Sequence, residues 1–178
     1  NFRIISSPAA NFFIDSADSY YGDENKSVIE QFEANQEVHK ITFIDEESEW
    51  KNWQRVGDDV AHIDLVKWAD VLVVCPASAN TLAALHAGLS DSMLLSVARA
   101  WPETGHKARS KLLCPAMNTK MWEQSVTGAA LAGLEARGWG VVDPVVMTLA
   151  CGDAGNGALA SVADINAAVL SASSGADV

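Results

Sequence analysis

The chain has 178 residues, 49% of them hydrophobic, and a formal net charge of −11. This length suits one well-buried domain and is short for two. The acidic balance argues against nucleic-acid or anionic-membrane partners, which need a basic face, and no apolar run approaches the roughly 20 residues that span a bilayer. Three cysteines, Cys75, Cys114 and Cys151, cannot all pair and form no C-x-x-C. That predicts reduced thiols in a cytoplasmic setting and offers no spacing for a metal site. No signal-peptide pattern is visible.

Phe2 to Ile5 reads as a short strand. With no initiator Met before this apolar opening, a preceding segment is expected. Ser7-Pro8 reads as N-cap and first residue of a helix through Ile14. From Asp15 to Gln36 the chain is polar and acidic without periodicity, the pattern of an exposed insertion, with Glu30 to Glu37 weakly helical. Lys40 to Ile44 is a second strand, and Glu46 to Trp53 a short helix with acids in its first turn. Asp59 to Asp70 reads as a helix feeding Val71 to Cys75, a β-branched apolar run typical of a strand covered on both faces. Pro76, which cannot donate to a ladder, is expected to end it.

Ser78 then stands as a helix N-cap, with Leu82, Leu85 and Leu89 at helical spacing. Ser92 to Ala100 is another helix, with Leu94, Leu95 and Val97 on its apolar face, and Pro102 to Ser110 a loop. Lys111 to Cys114 is a buried strand that ends as the earlier one does: Cys114-Pro115-Ala116 repeats Cys75-Pro76-Ala77, and Asn118-Thr119 echoes Asn80-Thr81. Two parallel strands would thus deliver an amide side chain to one edge of the sheet, where open α/β folds bind ligands. Ser125 to Ala136 is a helix closed by Arg137-Gly138, and Gly140 to Val142 the last strand of the sheet. Thr148 to Ala160 is glycine-rich, suiting a mobile or tightly turned segment. Asp164 to Leu170 closes the chain as a helix, and Ser171 to Val178 is a polar tail. Alternating strands and helices predict one layered α/β domain over 1–178 with a mainly parallel sheet.

Most residues with chemical potential admit two readings. Ser78 to Thr81 is either a seat for a phosphate or ring cofactor, or an ordinary cap and turn. Asn118 either reads a carboxylate or amide, or stabilises the turn after Pro115. His62 is either an acid or base, or a half-buried surface residue. His39, His86 and His106 have no distinguishing context and read as structural. Cys75 and Cys114, following strands, read as buried small hydrophobes. Cys151, among glycines, is either a proton-transferring thiol on a movable loop or a loop cysteine of no consequence. Asp70 and Asp153 are either catalytic or cap and turn residues.

Four motifs in order, His62-Ile-Asp-Leu in a helix ending Trp68-Ala-Asp70, Pro76-Ala-Ser-Ala-Asn-Thr81, Pro115-Ala-Met-Asn118, and Ala150-Cys-Gly-Asp153 with Gly155-Asn-Gly-Ala158, resemble the phosphopantothenoylcysteine decarboxylases. These belong to the homo-oligomeric flavin-containing cysteine decarboxylases. The resemblance runs from about Phe2 to Leu170, omitting the insertion. It implies a three-layer flavodoxin-like (Rossmann-like) α/β fold, a homotrimer with active sites at subunit contacts, and non-covalent FMN. By position it implies FMN contacts from Ser78, Ala79, Asn80, Thr81 and Ala116, with Ser7, Pro8 and Ala9 as a second contact segment. His62 and Cys151 match the catalytic residues, Asn118 the residue gripping the substrate carboxylate, and Met117 and Ala150 further substrate-binding positions. Residues 147–160 correspond to the substrate-covering flap.

The implied reaction is decarboxylation of 4′-phosphopantothenoylcysteine to 4′-phosphopantetheine, on the way to coenzyme A. A simple amino-acid carboxylate loses CO₂ slowly because the electrons left behind have nowhere to go. Flavin oxidation of the thiol-bearing carbon gives a thioaldehyde that acts as the sink. After decarboxylation a hydride is returned, with Cys151 supplying a proton; His62 would act as base or orient the substrate. The chain departs from the family in lacking its first strand and flavin-phosphate loop, and in inserting residues between Pro102 and Ser110 as well as in the acidic loop. The alternative function is an inhibitory subunit of a Ser/Thr protein phosphatase, as in halotolerance-type relatives; since His62, Asn118 and Cys151 are all present, the enzyme is preferred. A peptidyl-cysteine decarboxylase would carry a different flap sequence in place of Ala150 to Asp153.

Overall fold

The computed structural model describes residues 1–15, 41–45, 53–103, 110–148 and 154–174. The chain divides into two compact units, 1–62 with 92–94, and 63–91 with 95–178.

In the first unit, β1 (Phe2–Ser6) lies parallel to β2 (Ile41–Asp45), with Ile4 opposite Phe43. Helix α1 (Pro8–Asp15) follows β1 at once. Ser7 Oγ accepts from the Ala10 amide at 3.2 Å, the expected N-cap, and Pro8 takes the first helical position, where a missing N–H costs nothing. The expected acidic loop and most of the expected Glu46 to Trp53 helix fall outside the described residues.

The second unit holds a three-stranded parallel sheet of order β3-β4-β5, formed by Val71–Ala77, Ser110–Pro115 and Trp139–Val141. Helix α2 (Ala61–Trp68) leads into β3 and α3 (Ala79–Ala87) leaves it. Next come α4 (Met93–Ala100), a single helical turn α5 (Thr119–Trp122) and α6 (Ser125–Glu135); the first two residues of α2 and of α4 are counted in the first unit. A hairpin of β6 (Val145–Thr148) and β7 (Ala154–Ala158) and the closing helix α7 (Val162–Ser174) complete it. Leu82, Leu85, Leu113, Leu134 and Trp139 form the centre of the core. Among the described residues no helix is long and apolar enough to cross a membrane, and no group of His, Cys, Asp and Glu is placed to hold a metal ion.

Several expectations are corrected. Strand β3 does not stop at Pro76; it continues to Ala77. The ladder to β4 shifts between Val74 and Ala77, so Pro76 sits where no amide donor is required. Leu72 and Val74 are buried while Val71 and Val73 are only partly covered, an alternation instead of a strand sealed on both faces. Leu89 is 49% exposed because α3 ends at Gly88, whose left-handed φ of 71° turns the chain away. The closing helix begins at Val162, capped by Ser161 Oγ accepting from the Asp164 amide at 3.1 Å. It also runs on to Ser174, past the point where a polar tail was expected.

Two cations hold the far side of this unit. Lys111 is 4% exposed on β4; its Nζ donates to the Arg137 carbonyl at 2.7 Å, lies 3.5 Å from Glu103 Oε1, and sits 5.4 Å over the Trp139 ring. A buried ammonium needs such partners. Arg137 serves the end of its own helix, Nε donating to the Gly133 carbonyl at 3.3 Å. It also donates to the Leu85 and His86 carbonyls at 3.0 and 3.1 Å, closing the C-terminus of α3, so one guanidinium ties two helices together. Gly133 lets α6 approach α3 there, since a Cβ would lie 2.3 Å from the His86 ring.

Candidate active site

The site grows from the carboxyl ends of β3 and β4. Ala77 pairs with Pro115, and the Ala116 amide donates to the Ala77 carbonyl at 3.0 Å, so the two Pro-Ala turns leave the sheet side by side. This is the edge the repeated Cys-Pro-Ala pattern predicted. On the β3 side, Ser78 caps α3: its Oγ accepts from the Thr81 amide at 3.2 Å and lies 3.0 Å from Thr81 Oγ1. The Leu82 amide is taken by the Ser78 carbonyl at 2.9 Å. At a helix start the first amides have no intrahelical acceptor, so those of Ala79 and Asn80 face the rim along with the dipole's positive end. Ser78 and Asn80 are both exposed.

On the β4 side, Asn118 caps the short helix α5 through Oδ1, which accepts from the Lys120 amide at 2.9 Å. The turn-stabilising reading of Asn118 is therefore correct as far as Oδ1 goes. The other end of the carboxamide, Nδ2, carries two N–H donors, the groups a carboxylate accepts. Behind this turn runs β7. The Met117 amide donates to the Gly157 carbonyl at 2.9 Å, and Gly157 takes φ +131° with its α-carbon so close that a Cβ would meet the Met117 carbonyl oxygen at 2.4 Å. Gly155, two residues earlier on the same strand face, meets Thr119 in the same way, at 2.5 Å. At Gly157 another backbone occupies the space of a side chain, and at Gly155 the Thr119 side chain does. The expectation that the glycines of Thr148 to Ala160 mark a mobile or tightly turned segment is corrected for Gly155 and Gly157, which lie in a strand packed against the Asn118 turn. Two glycines at i and i+2 were the available signal, since they share one face of a strand.

Ser78, Ala79, Asn80, Thr81, Ala116, Met117 and Asn118 come together on the second unit. Ser7, Pro8, Ala9 and His62 belong to the first; His62 is half-buried in the first turn of α2, and Ser7 is occupied as a cap. Ala150 and Cys151, in the segment joining β6 to β7, lie outside the described residues.

Only one of the two strand-end cysteines meets the expectation of burial. Cys114 is buried, but Cys75 is exposed. The Cys114 thiol hydrogen-bonds the Cys75 sulfur and holds its pKa down at about 7, while Cys114 itself is pushed up by serving as that donor and by burial. Alkylation of Cys75 by iodoacetamide in the native protein is therefore expected to rise with pH around a midpoint near 7. An ordinary thiol would show about 8.5. A profile centred at the ordinary value, followed by peptide mass, would contradict the hydrogen bond's direction.

Residues 1–174 match the flavoprotein family. The chain belongs to that family. Among individual flavoproteins it is 44% identical to phosphopantothenoylcysteine decarboxylase of Arabidopsis thaliana over 121 residues, 68% of this chain and 56% of that protein. It is 43% identical to the Mus musculus enzyme of the same name over 129 residues, 72% of this chain and 61% of that protein. The chain thus spans less than two thirds of these relatives. A solved Cys-to-Ser mutant of PPC decarboxylase, complexed with pantothenoylaminoethenethiol, superposes with a TM-score of 0.69 at 40% identity, covering 74% of this chain and 70% of that one. The FMN binding protein AtHal3 superposes with a TM-score of 0.66 at 41% identity, covering 74% and 69%. HAL3 from Cryptococcus neoformans, at 24% identity and TM-score 0.70 over 97% of this chain and 80% of that one, shares the fold. The flavoprotein described here accordingly has the flavodoxin-like α/β fold, with mainly parallel strand pairing.

Proposed function

We propose that this flavoprotein is an FMN-dependent decarboxylase acting on 4′-phosphopantothenoylcysteine to give 4′-phosphopantetheine in coenzyme A biosynthesis. The observation that carries the reading is the paired rim: a polar helix start at Ser78 to Thr81 set beside the Asn118 carboxamide at the ends of adjacent parallel strands. The similarity to proteins named for this reaction adds to it.

The rim suits the cofactor. Two backbone amides, two hydroxyls and the positive end of a helix dipole match the polar edge of a flavin ring or its phosphate. Ser78, Ala79, Asn80, Thr81 and Ala116 would hold it, with Ser7, Pro8 and Ala9 as a second segment. Bound there, FMN supplies a reversible two-electron acceptor for the substrate's thiol-bearing carbon.

The chain's own residues do the rest. Asn118 presents Nδ2–H donors to the substrate carboxylate and, being neutral, orients it without the full ion pair that would stabilise the starting charge over the transition state in which that charge disperses. Its rigidity comes from the Oδ1 cap and the β7 backing, with Met117 held by Gly157. His62 takes the thiol proton or orients the thiol, and Cys151 returns a proton to the product carbon. A homotrimer with sites at subunit contacts and a cytoplasmic location belong to the same proposal; the unpaired thiols of Cys75 and Cys114 suit a reducing compartment.

Incubation of the chain with FMN and 4′-phosphopantothenoylcysteine, followed by mass spectrometry, is expected to yield the product of CO₂ loss with its saturated side chain restored. In Cys151→Ser the product is expected to lack the final two hydrogens. Unchanged substrate in the presence of bound flavin would overturn the assignment.

A further inference from the structure

The ladder pairs Val74 with Leu113 and, after slipping by one residue, Ala77 with Pro115, so Cys75 and Cys114 both lie in the short stretch bracketed by these two pairs at the ends of β3 and β4. Adjacent strands lie about 4.8 Å apart, inside the Cα separation of about 4.4–6.8 Å that a disulfide spans. The two thiols already meet, sharing a hydrogen bond. They are unequal: Cys75 is exposed, whereas Cys114 is 0% exposed beneath the rim. No step of the decarboxylation uses either. An accessible thiol beside a buried second thiol is the arrangement of an oxidisable cysteine with its resolving partner.

We propose that Cys75 and Cys114 form a reversible dithiol–disulfide couple at the rim of the sheet, oxidised by hydrogen peroxide and reduced by small thiols of the glutathione class. In the first step the Cys75 thiolate sulfur attacks one peroxide oxygen, the O–O bond breaks, and the departing hydroxide takes a proton to leave as water. Cys75 is then a sulfenic acid. The Cys114 sulfur, giving up its proton, attacks the Cys75 sulfur; the S–O bond breaks and a second water leaves. Two electrons have passed from the sulfur pair to peroxide. In the reverse direction two small thiols become one small disulfide and both cysteines regain their hydrogens. The Cys75 thiolate required for the first step is favoured by the hydrogen bond from Cys114 described above. Closure joins the residues immediately before Pro76 and Pro115, so the cross-link ties together the two turns that carry Ser78 to Thr81 and Asn118.

The test uses the whole chain, reduced, desalted and treated in native buffer with hydrogen peroxide, then alkylated with iodoacetamide in denaturant and digested with trypsin. Cys75 and Cys114 fall in separate peptides, 68–99 and 112–120. The expected result is loss of alkylation at both cysteines and appearance of the two peptides joined, two hydrogens lighter than their sum, with dithiothreitol restoring both. Cys114→Ala is expected to stop at a Cys75 sulfenic acid that dimedone traps, and Cys75→Ser to leave Cys114 as fully alkylated as in untreated protein. Should the Cys114 variant not fold, the wild-type peptide map decides alone. Cys114 still alkylated in treated wild type while Cys75 is over-oxidised, or Cys75 joined to Cys151, would overturn the proposal.

Discussion

Asn118→Asp is expected to abolish decarboxylation while leaving the fold intact. Aspartate is as good an N-cap as asparagine, so the bond from the Lys120 amide to the residue-118 side chain survives and stability should change by less than about 0.5 kcal/mol. What changes is the charge presented to the substrate. Two carboxylates about 4 Å apart repel by about 4 kcal/mol at an effective dielectric of 20. At about 1.4 kcal/mol per decade, that is a loss of about 10³-fold in kcat/KM. A thermal melt alongside the kinetics separates the two roles of this side chain. If residue 118 served only to close the turn after Pro115, the Asp variant would match wild type in both measurements.

Gly157→Val should be the most disruptive change in the hairpin that backs the site. The residue's φ of +131° is one that a β-branched side chain avoids, and its Cβ would lie 2.4 Å from the Met117 carbonyl oxygen, a backbone atom that cannot swing away. Backbone strain alone costs on the order of 1–3 kcal/mol. Relief would require β7 to separate from Met117 and lose the bond from the Met117 amide to the residue-157 carbonyl. A total near 3 kcal/mol lowers Tm by roughly 6–12 °C for a chain of this size. Gly128→Ala is the internal control. Gly128 lies in α6 with nothing within 4 Å of its Cβ position, and there the same kind of change should stabilise by roughly 0.5–1 kcal/mol. Calorimetry of the two variants checks both signs; a Gly157 variant melting with wild type would show that the close approach to Met117 is not needed.

Much of the fold was legible because its signals are local. Ser7-Pro8 and Ser78 cap the helices they were expected to cap, and Leu82 and Leu85 bury the face their spacing marks. The repeated Cys-Pro-Ala was legible as a shared rim because two strands of like pattern in an α/β chain pair in parallel. What escaped depends on partners far along the chain. Pro76 remains in its strand because the β3–β4 ladder slips just there, which no local pattern reveals. Gly155 and Gly157 read as turn residues because glycine usually marks turns, while here they make room for Thr119 and Met117. The exposure of Cys75 follows from the same slip in the ladder, whereas Cys114, one strand further into the sheet, is sealed.

The roles of His62, Asn118 and Cys151 came from motif resemblance, and the structure adds a physical basis for Asn118: one end of its carboxamide is fixed by the α5 cap, which orients the other. The Ser78 turn has a similar double character. Its hydroxyl serves the Thr81 amide, and in doing so sets the pitch of the helix start whose first two amides face the rim.

The central claim is that the rim formed by Ser78 to Thr81 and Ala116 seats a flavin. The most direct measurement is a titration of the purified, folded chain with FMN, followed by flavin fluorescence and by the absorbance retained after desalting. Saturable quenching and a yellow protein carrying one FMN per chain are the expected result; a folded chain whose addition leaves FMN fluorescence unchanged and which emerges colourless would contradict it.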